Sequence, residues 1–112
     1  DAGDVVLQEL AHTLRDSVRT DDIVARLGGD EFLIICPDTG LDDGLQVAEQ
    51  VRAAVNAMRV KAGDGEWHGS ISVGVSARTD AMEGPEMLIK AADLGVYKSK
   101  EDGRNCVRTA DR

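Results

Sequence analysis

Between Asp4 and about Val18, apolar residues recur at Val6/Leu7, Leu10/Ala11, Leu14 and Val18, with a polar face opposite. Steps of three and four mark one side of a helix, so this stretch predicts an amphipathic first helix. Ile23-Val24-Ala25 is a short β-branched run, Leu27-Gly28-Gly29-Asp30 is a turn signal, and Phe32-Leu33-Ile34-Ile35-Cys36 is a continuous apolar run stopped by Pro37. Those pieces predict a β-hairpin. Leu41, Leu45, Ala48, Val51, Val55 and Met58 return to helical spacing. They predict a second helix, entered from Asp38 or Thr39 and packing one face on the sheet.

Val60 to His68 contains an Asp64-Gly65 turn signal and predicts a minor hairpin anchored by Trp67, the single tryptophan. Ser70-Ile71-Ser72-Val73-Gly74-Val75 alternates as a half-buried strand. A third helix starts near Gly84-Pro85, with proline in its first turn, runs through Leu88, Ala91, Ala92 and Tyr97, and stops at Gly103. Tyr97 is expected in the core. Asn105 to Arg108 closes the chain as a strand. The order of helix, hairpin, helix, strand, helix and strand has no internal repeat or linker-like segment, and it predicts an α+β domain with helices on a mainly antiparallel sheet.

Length and charge narrow the picture. A chain of 112 residues fits one core. No apolar stretch approaches the roughly 20 residues of a membrane helix, and the acidic opening Asp1-Ala2-Gly3-Asp4 is unlike a signal peptide, so a soluble, cytoplasmic domain without membrane contact is expected. The formal charge of −8 disfavours non-specific binding to nucleic acid or anionic membrane. A phosphorylated ligand would then need a local cationic patch or a bound metal. Cys36 and Cys106 lack the paired spacing of a zinc site or disulfide framework and are expected as buried, reduced thiols. His12 and His68 have no ligand-like partners in the sequence and are expected to be structural or solvated.

The densest chemistry lies in Arg26-Leu27-Gly28-Gly29-Asp30-Glu31-Phe32. Gly28 and Gly29 can take positive φ, which serves a tight hairpin and equally lets a nucleoside or phosphate approach the main chain. Asp30 and Glu31 are adjacent, and strand neighbours point to opposite faces, so a solvent face accounts for at most one of them. A hard cation such as Mg²⁺ prefers carboxylate and phosphate oxygens. Without one, a triphosphate beside these acids is repelled by roughly 4 kcal/mol per charge pair at about 4 Å and an effective dielectric of about 20. Asp4 can instead be a helix N-cap, Lys100 and Arg104 can complement a helix dipole, and Arg19 with Asp22 can be a solvated helix end.

The stretch Arg26 to Phe32 resembles the signature after which the GGDEF diguanylate cyclase family is named, with all five letters intact. Ala2-Gly3-Asp4 resembles the end of that family's Gly-His-x-x-Gly-Asp segment, and Ser70-Ile71-Ser72-Val73-Gly74 its Ser/Thr-Ile-Ser-x-Gly strand. Ala91-Ala92-Asp93 through Tyr97, Lys100 and Gly103-Arg104-Asn105 resembles its final helix. The resemblance implies a ferredoxin-like, palm-type sheet flanked by helices, and condensation of two GTP molecules into cyclic di-GMP and two pyrophosphates. It also implies Mg²⁺ (or Mn²⁺), with Asp30 and Glu31 as metal ligands and catalytic acids. Asp4, Gly28, Gly29, Lys100 and Arg104 become substrate-binding residues, Asp4 at guanine and the two cations at the β- and γ-phosphates. Arg19 and Asp22, with five residues between Asp22 and Gly28, match the family's inhibitory Arg-x-x-Asp site for product.

Catalysis in the family needs a homodimer, and a sensory or regulatory domain is expected in the parent protein. Members often complete the product site with an arginine on the following helix; the equivalent here is Gln50, with Arg52 nearby. Family domains also have an earlier strand with a metal-binding Asp and a guanine-reading Asn, and this chain begins after them. The resemblance therefore implies a domain lacking its first strand, expected to be inactive alone and prone to self-association. The alternative function is a non-catalytic receptor for cyclic di-GMP or GTP.

Overall fold

The structure is a computed structural model and describes residues 2–111. Helix α1 (Ala2–Ser17) is followed by the hairpin β1 (Ile23–Gly28) and β2 (Glu31–Ile35), then α2 (Leu41–Asn56). A second small hairpin, β3 (Val60–Ala62) and β4 (Gly65–Trp67), precedes β5 (Val73–Gly74), α3 (Pro85–Glu101) and β6 (Val107–Arg108). The architecture is α+β, with three two-stranded ladders: β1–β2 and β3–β4 antiparallel, β5–β6 parallel. Among the described residues β2 and β5 share no ladder.

The core is centred on α1 and α2. Leu10 and Leu14 of α1 meet Val51 and Val55 of α2, and all four are buried. Each pair is spaced by four residues and so lies on one helical stripe. Burying each such side chain contributes about 1.5–3 kcal/mol. Val24, Phe32, Ile34, Trp67 and Ile71 pack around this centre. Helix α2 therefore faces α1 as well as the strands, and the expectation that it lies on the sheet is only half of its environment. Val24 pairs with Ile34 in the β1–β2 register, so the inner face of that hairpin covers the helix pair. Its outer face, with Ile23 opposite Ile35, stays exposed.

Several boundaries differ from the sequence pattern. Helix α1 begins before Asp4, which places Asp4 in the first turn, where a carboxylate favours the dipole. Gly40, in extended backbone, is the N-cap of α2, with no side-chain cap bond from Asp38 or Thr39. Tyr97 is exposed and not in the core. On α3 the buried residues are Gly95 and Ser99, and at about 100° per residue Tyr97, two positions from each, points the other way. Both cysteines are free and half-buried, just outside β2 and β6.

Gly95 lets α3 lie directly on β5 and β6. A Cβ there would stand 2.5 Å from the Arg108 carbonyl oxygen and 2.9 Å from the Gly74 Cα. One at Gly74 would overlap the Ala92 carbonyl oxygen. Alanine at position 95 would gain about 1 kcal/mol of helix propensity. The atoms it meets are backbone and cannot move aside, so the clash dominates. Gly95→Ala is expected to destabilise the domain by about 1–3 kcal/mol in urea unfolding; a stabilised variant would show that α3 has room to lift.

Candidate functional site

The turn between β1 and β2 is built by its glycines. Gly28 has φ of 145° and Gly29 φ of 53°, values that L side chains rarely adopt. A Cβ at either would meet nothing within 4 Å. Backbone conformation, not crowding within the chain, is what requires glycine here. The register shifts between Arg26 and Gly28, so that Arg26 pairs with Phe32 and Gly28 with Glu31, leaving Leu27 as a bulge. Arg26 Nε donates to the Gly29 carbonyl at 2.8 Å and braces the turn from its own strand.

Asp30 lies in the turn itself and Glu31 opens β2; both are exposed. Strand alternation thus does not govern Asp30, and the two carboxylates are separated by the turn's geometry instead. Neither has a hydrogen-bond or ion-pair partner among the described residues. No three His, Cys, Asp or Glu residues among the described residues cluster closely enough to hold a metal ion. Carboxylate oxygens are donors that a hard cation takes, and two acids supply only part of its set of roughly six to eight oxygens.

A cleft of about 410 Å³ runs between α1 and the β1–β2 hairpin, and its walls include Asp4, Leu7, Gln8, Arg15, Arg26 and Phe32. Asp4 is thereby brought to the same cleft as the two residues that flank the glycine turn. Leu7, Gln8 and Arg15 were not singled out from the sequence. Their positions three, four and eleven residues after Asp4 are the signal that could have found them, since these steps set them on one helical stripe. A larger hollow of about 530 Å³, between the start of α1 and the β3–β4 hairpin, is walled by Val6, Leu7, Ala62 and Trp67, with Glu66 its only charged residue. Among the described residues, its walls hold no cation for a phosphate and none of the candidate residues.

Lys100 lies in the last turn of α3, and Arg104 follows in left-handed backbone with φ of 65°. Both side chains are exposed and without partners among the described residues. No bond links them to Asp30 or Glu31.

Arg19 and Asp22 do meet. Arg19 Nε donates to Asp22 Oδ2 and Nη2 to Oδ1, each at 3.0 Å, while the Arg19 backbone N–H also donates to Oδ2. Nη2 reaches Thr39 Oγ1 as well, whose own hydroxyl donates to the Pro37 carbonyl. The Asp22 side chain is only 1% exposed beneath an Arg19 that is 49% exposed. Asp22 is thus spent on holding the guanidinium, whose outer face is open to solvent. The bond from Arg19 holds the Asp22 carboxyl below its ordinary pKa against the opposing effect of burial. Nearby, burial first and the Asp22 charge second push the Cys36 thiol up. Gln50 is exposed, and Arg52 is engaged with Glu49 and Asn105.

The family model described as "Diguanylate cyclase, GGDEF domain" matches residues 1–106. The chain belongs to the GGDEF family. It is 44% identical over 109 residues to the response regulator PleD of Caulobacter vibrioides, covering 96% of this chain and 24% of that protein. It is 34% identical over 106 residues to diguanylate cyclase A of Treponema denticola, covering 95% and 29% respectively. This GGDEF domain thus spans about a quarter of the length of these relatives. Among solved structures, it is similar to the GGDEF domain of PA1120 (YfiN or TpbB) from Pseudomonas aeruginosa, with a TM-score of 0.83, 32% identity, and coverage of 96% of this chain and 67% of that one. The active GGEEF domain of a diguanylate cyclase from Vibrio cholerae gives a TM-score of 0.84 at 28% identity, covering 94% and 66%. No described helix of this GGDEF chain is long and apolar enough to cross a membrane.

The Arg19–Asp22 fork has a pH signature. A carboxyl depressed by its partner contributes stability that is fully present above the unfolded-state pKa and lost as pH falls through the lower folded value. The Asp22 carboxyl, followed by NMR, is expected to titrate below an ordinary aspartate, and to return toward the ordinary value in Arg19→Ala. A native midpoint at or above the ordinary value would show that the fork does not persist in solution.

Proposed function

We propose that this domain is the catalytic part of a diguanylate cyclase, joining two GTP molecules into cyclic di-GMP with release of two pyrophosphates. The observation that carries the reading is the intact turn: Gly28 and Gly29 at positive φ, with Asp30 in the turn and Glu31 at the start of β2, both exposed and without side-chain partners among the described residues. Two adjacent acids on a chain of net charge −8 would repel a triphosphate unless a cation joined them.

In this reading Asp30 and Glu31 hold Mg²⁺ or Mn²⁺, which when bound supplies charge neutralisation for the triphosphate and acidifies a coordinated hydroxyl. Glu31 lies against the attacking 3′-hydroxyl and draws off its proton as the new 3′-oxygen–α-phosphorus bond forms. The α–β phosphoanhydride bond breaks, and pyrophosphate leaves in line. Gly28 and Gly29 allow the nucleotide to lie against main chain. Asp4, in the cleft beside Arg26 and Phe32, accepts from the N1 and N2 edge of guanine. Lys100 and Arg104 hold the β- and γ-phosphates.

One domain binds one GTP, so two copies must face each other for each oxygen to reach the other's phosphorus; the active state is a homodimer. Arg19, held by Asp22 and Thr39, offers its open face to phosphate or to the O6/N7 edge of guanine and forms the inhibitory product site. The greater length of the relatives supports a sensory or regulatory domain elsewhere in the parent protein, with this domain in the cytoplasm where GTP is made.

Two variants of the active parent protein test the chemistry. Asp30→Asn and Glu31→Gln keep size and remove charge, and each is expected to lower cyclic di-GMP synthesis at least about a hundredfold with the fold retained by circular dichroism. Parental turnover with unchanged Mg²⁺ dependence in either variant would refute the metal assignment. Arg19→Ala tests the product site. Cyclic di-GMP affinity by calorimetry should fall roughly tenfold to a hundredfold and product inhibition should ease, while the initial rate holds. Unchanged affinity would return Arg19 to a purely structural part.

A further inference from the structure

We infer that Arg52, on α2, is a positioning residue for Arg104: by gripping Asn105 it fixes the left-handed turn that presents Arg104 to the substrate. The inference rests on the assignment of Arg104 to the triphosphate made above and extends it to a residue on a different helix.

Gly103, Arg104 and Asn105 have φ of 108°, 65° and 48°, three successive positive values after the end of α3. Only glycine takes such backbone freely; Asn tolerates it, and Arg does not favour it. The turn therefore needs external ties. Two are backbone-centred and come from Ser99, which is fully buried. Its carbonyl accepts the Arg104 N–H at 2.8 Å, and its hydroxyl donates to the Cys106 carbonyl at 2.8 Å. Those bonds fasten the residues on either side of Asn105.

Among the described residues, Asn105 itself is tied through its side chain, and both ties run to α2. Arg52 Nη1 donates to Asn105 Oδ1 at 2.9 Å, and Asn105 Nδ2 donates to Asn56 Oδ1 at 3.2 Å. Arg52 is itself aimed. Its Nε donates to both oxygens of Glu49 at 3.0 Å and its Nη2 to Oε1 at 2.5 Å, which leaves Nη1 as the arm that reaches across. A surface Arg–Glu pair alone is worth little. Here the planar guanidinium uses one edge on its own helix and the other on a turn 53 residues away. Arg104, by contrast, has no side-chain partner among the described residues, so the direction in which it leaves the backbone is set by the turn. Loss of the Arg52 tie leaves the turn free to relax toward ordinary φ values, and Arg104 moves with it.

The test uses the active parent protein, with GTP as the probe. Arg52→Gln is expected to raise KM for GTP about five- to tenfold, as for the loss of one charge-assisted hydrogen bond, while kcat changes less than about twofold. Asn105→Gly, which keeps the left-handed backbone accessible and removes only the amide, should do the same. The deciding measurement is the double variant. If Arg52 acts through Arg104, then Arg52→Gln adds no further rise in KM once Arg104→Ala is present. A multiplicative rise, or a lower unfolding midpoint with KM unchanged, would reduce Arg52 to a stabilising contact and overturn the inference. If Arg104→Ala raises KM while Arg52→Gln leaves it at the parental value, the inference fails alone. If Arg104→Ala itself leaves KM unchanged, the triphosphate assignment fails and the inference with it.

Discussion

The apolar seam between α1 and α2 is the packing on which both hairpins of this domain depend. Leu10 and Leu14 against Val51 and Val55 form the buried centre, and each neighbouring element is placed by what it adds to that seam. The β1–β2 hairpin contributes Val24, Phe32 and Ile34; the β3–β4 hairpin contributes Trp67. No ladder here exceeds two strands, and isolated two-stranded ladders are marginal in water. The strands are consequently held by side-chain burial against the helices more than by one another. The glycine turn benefits, because its base is clamped on the seam while Asp30 and Glu31 stay exposed to solvent.

The functional groups divide between two ways of being held. Arg19 and Asp22 form a finished unit: a bidentate fork, a third bond to Thr39, and a carboxylate sealed from water. Asp30, Glu31, Lys100 and Arg104 are the opposite, charged groups whose backbones are fixed and whose side chains have nothing to bind among the described residues. Under the proposed function, preassembled recognition suits a site that binds the same product repeatedly. Unpaired charges on a fixed frame suit one whose partners arrive with substrate and metal, since desolvation and pairing then occur together.

Much of this was legible in the chain. Helices α1 and α2 follow from three-and-four spacing, α3 from the Pro85 start and the Gly103 stop, and the hairpin turn from Gly28-Gly29 between apolar runs. The strand expected over Ser70–Val75 shrank to Val73–Gly74, because alternation records which residues face inward and not whether a partner strand is long enough to pair with them. Tyr97 was misplaced because its position in a helix of mixed polarity depends on which residues are small: Gly95 and Ser99 define the close face of α3, and periodicity in hydrophobic residues does not see them. The Arg52–Asn105 tie could not be found at all, since it joins positions 53 residues apart with no shared motif. Motif spacing brings candidate site residues forward, whereas a contact between distant positions has to be read from the fold.

The glycine-to-glycine approach of α3 on β5 has a consequence for motion. With Gly95 and Gly74 in direct backbone contact, α3, β5 and β6 have few side chains between them to act as bearings, so they cannot slide; they separate or they stay. The Val73 and Val75 amide protons, which donate to the Cys106 and Arg108 carbonyls, should then exchange with solvent at the rate of α3 docking and undocking, not at the fraying rate of two-residue strands. Slow, matched exchange in those short strands would be the solution trace of a helix seated on bare backbone.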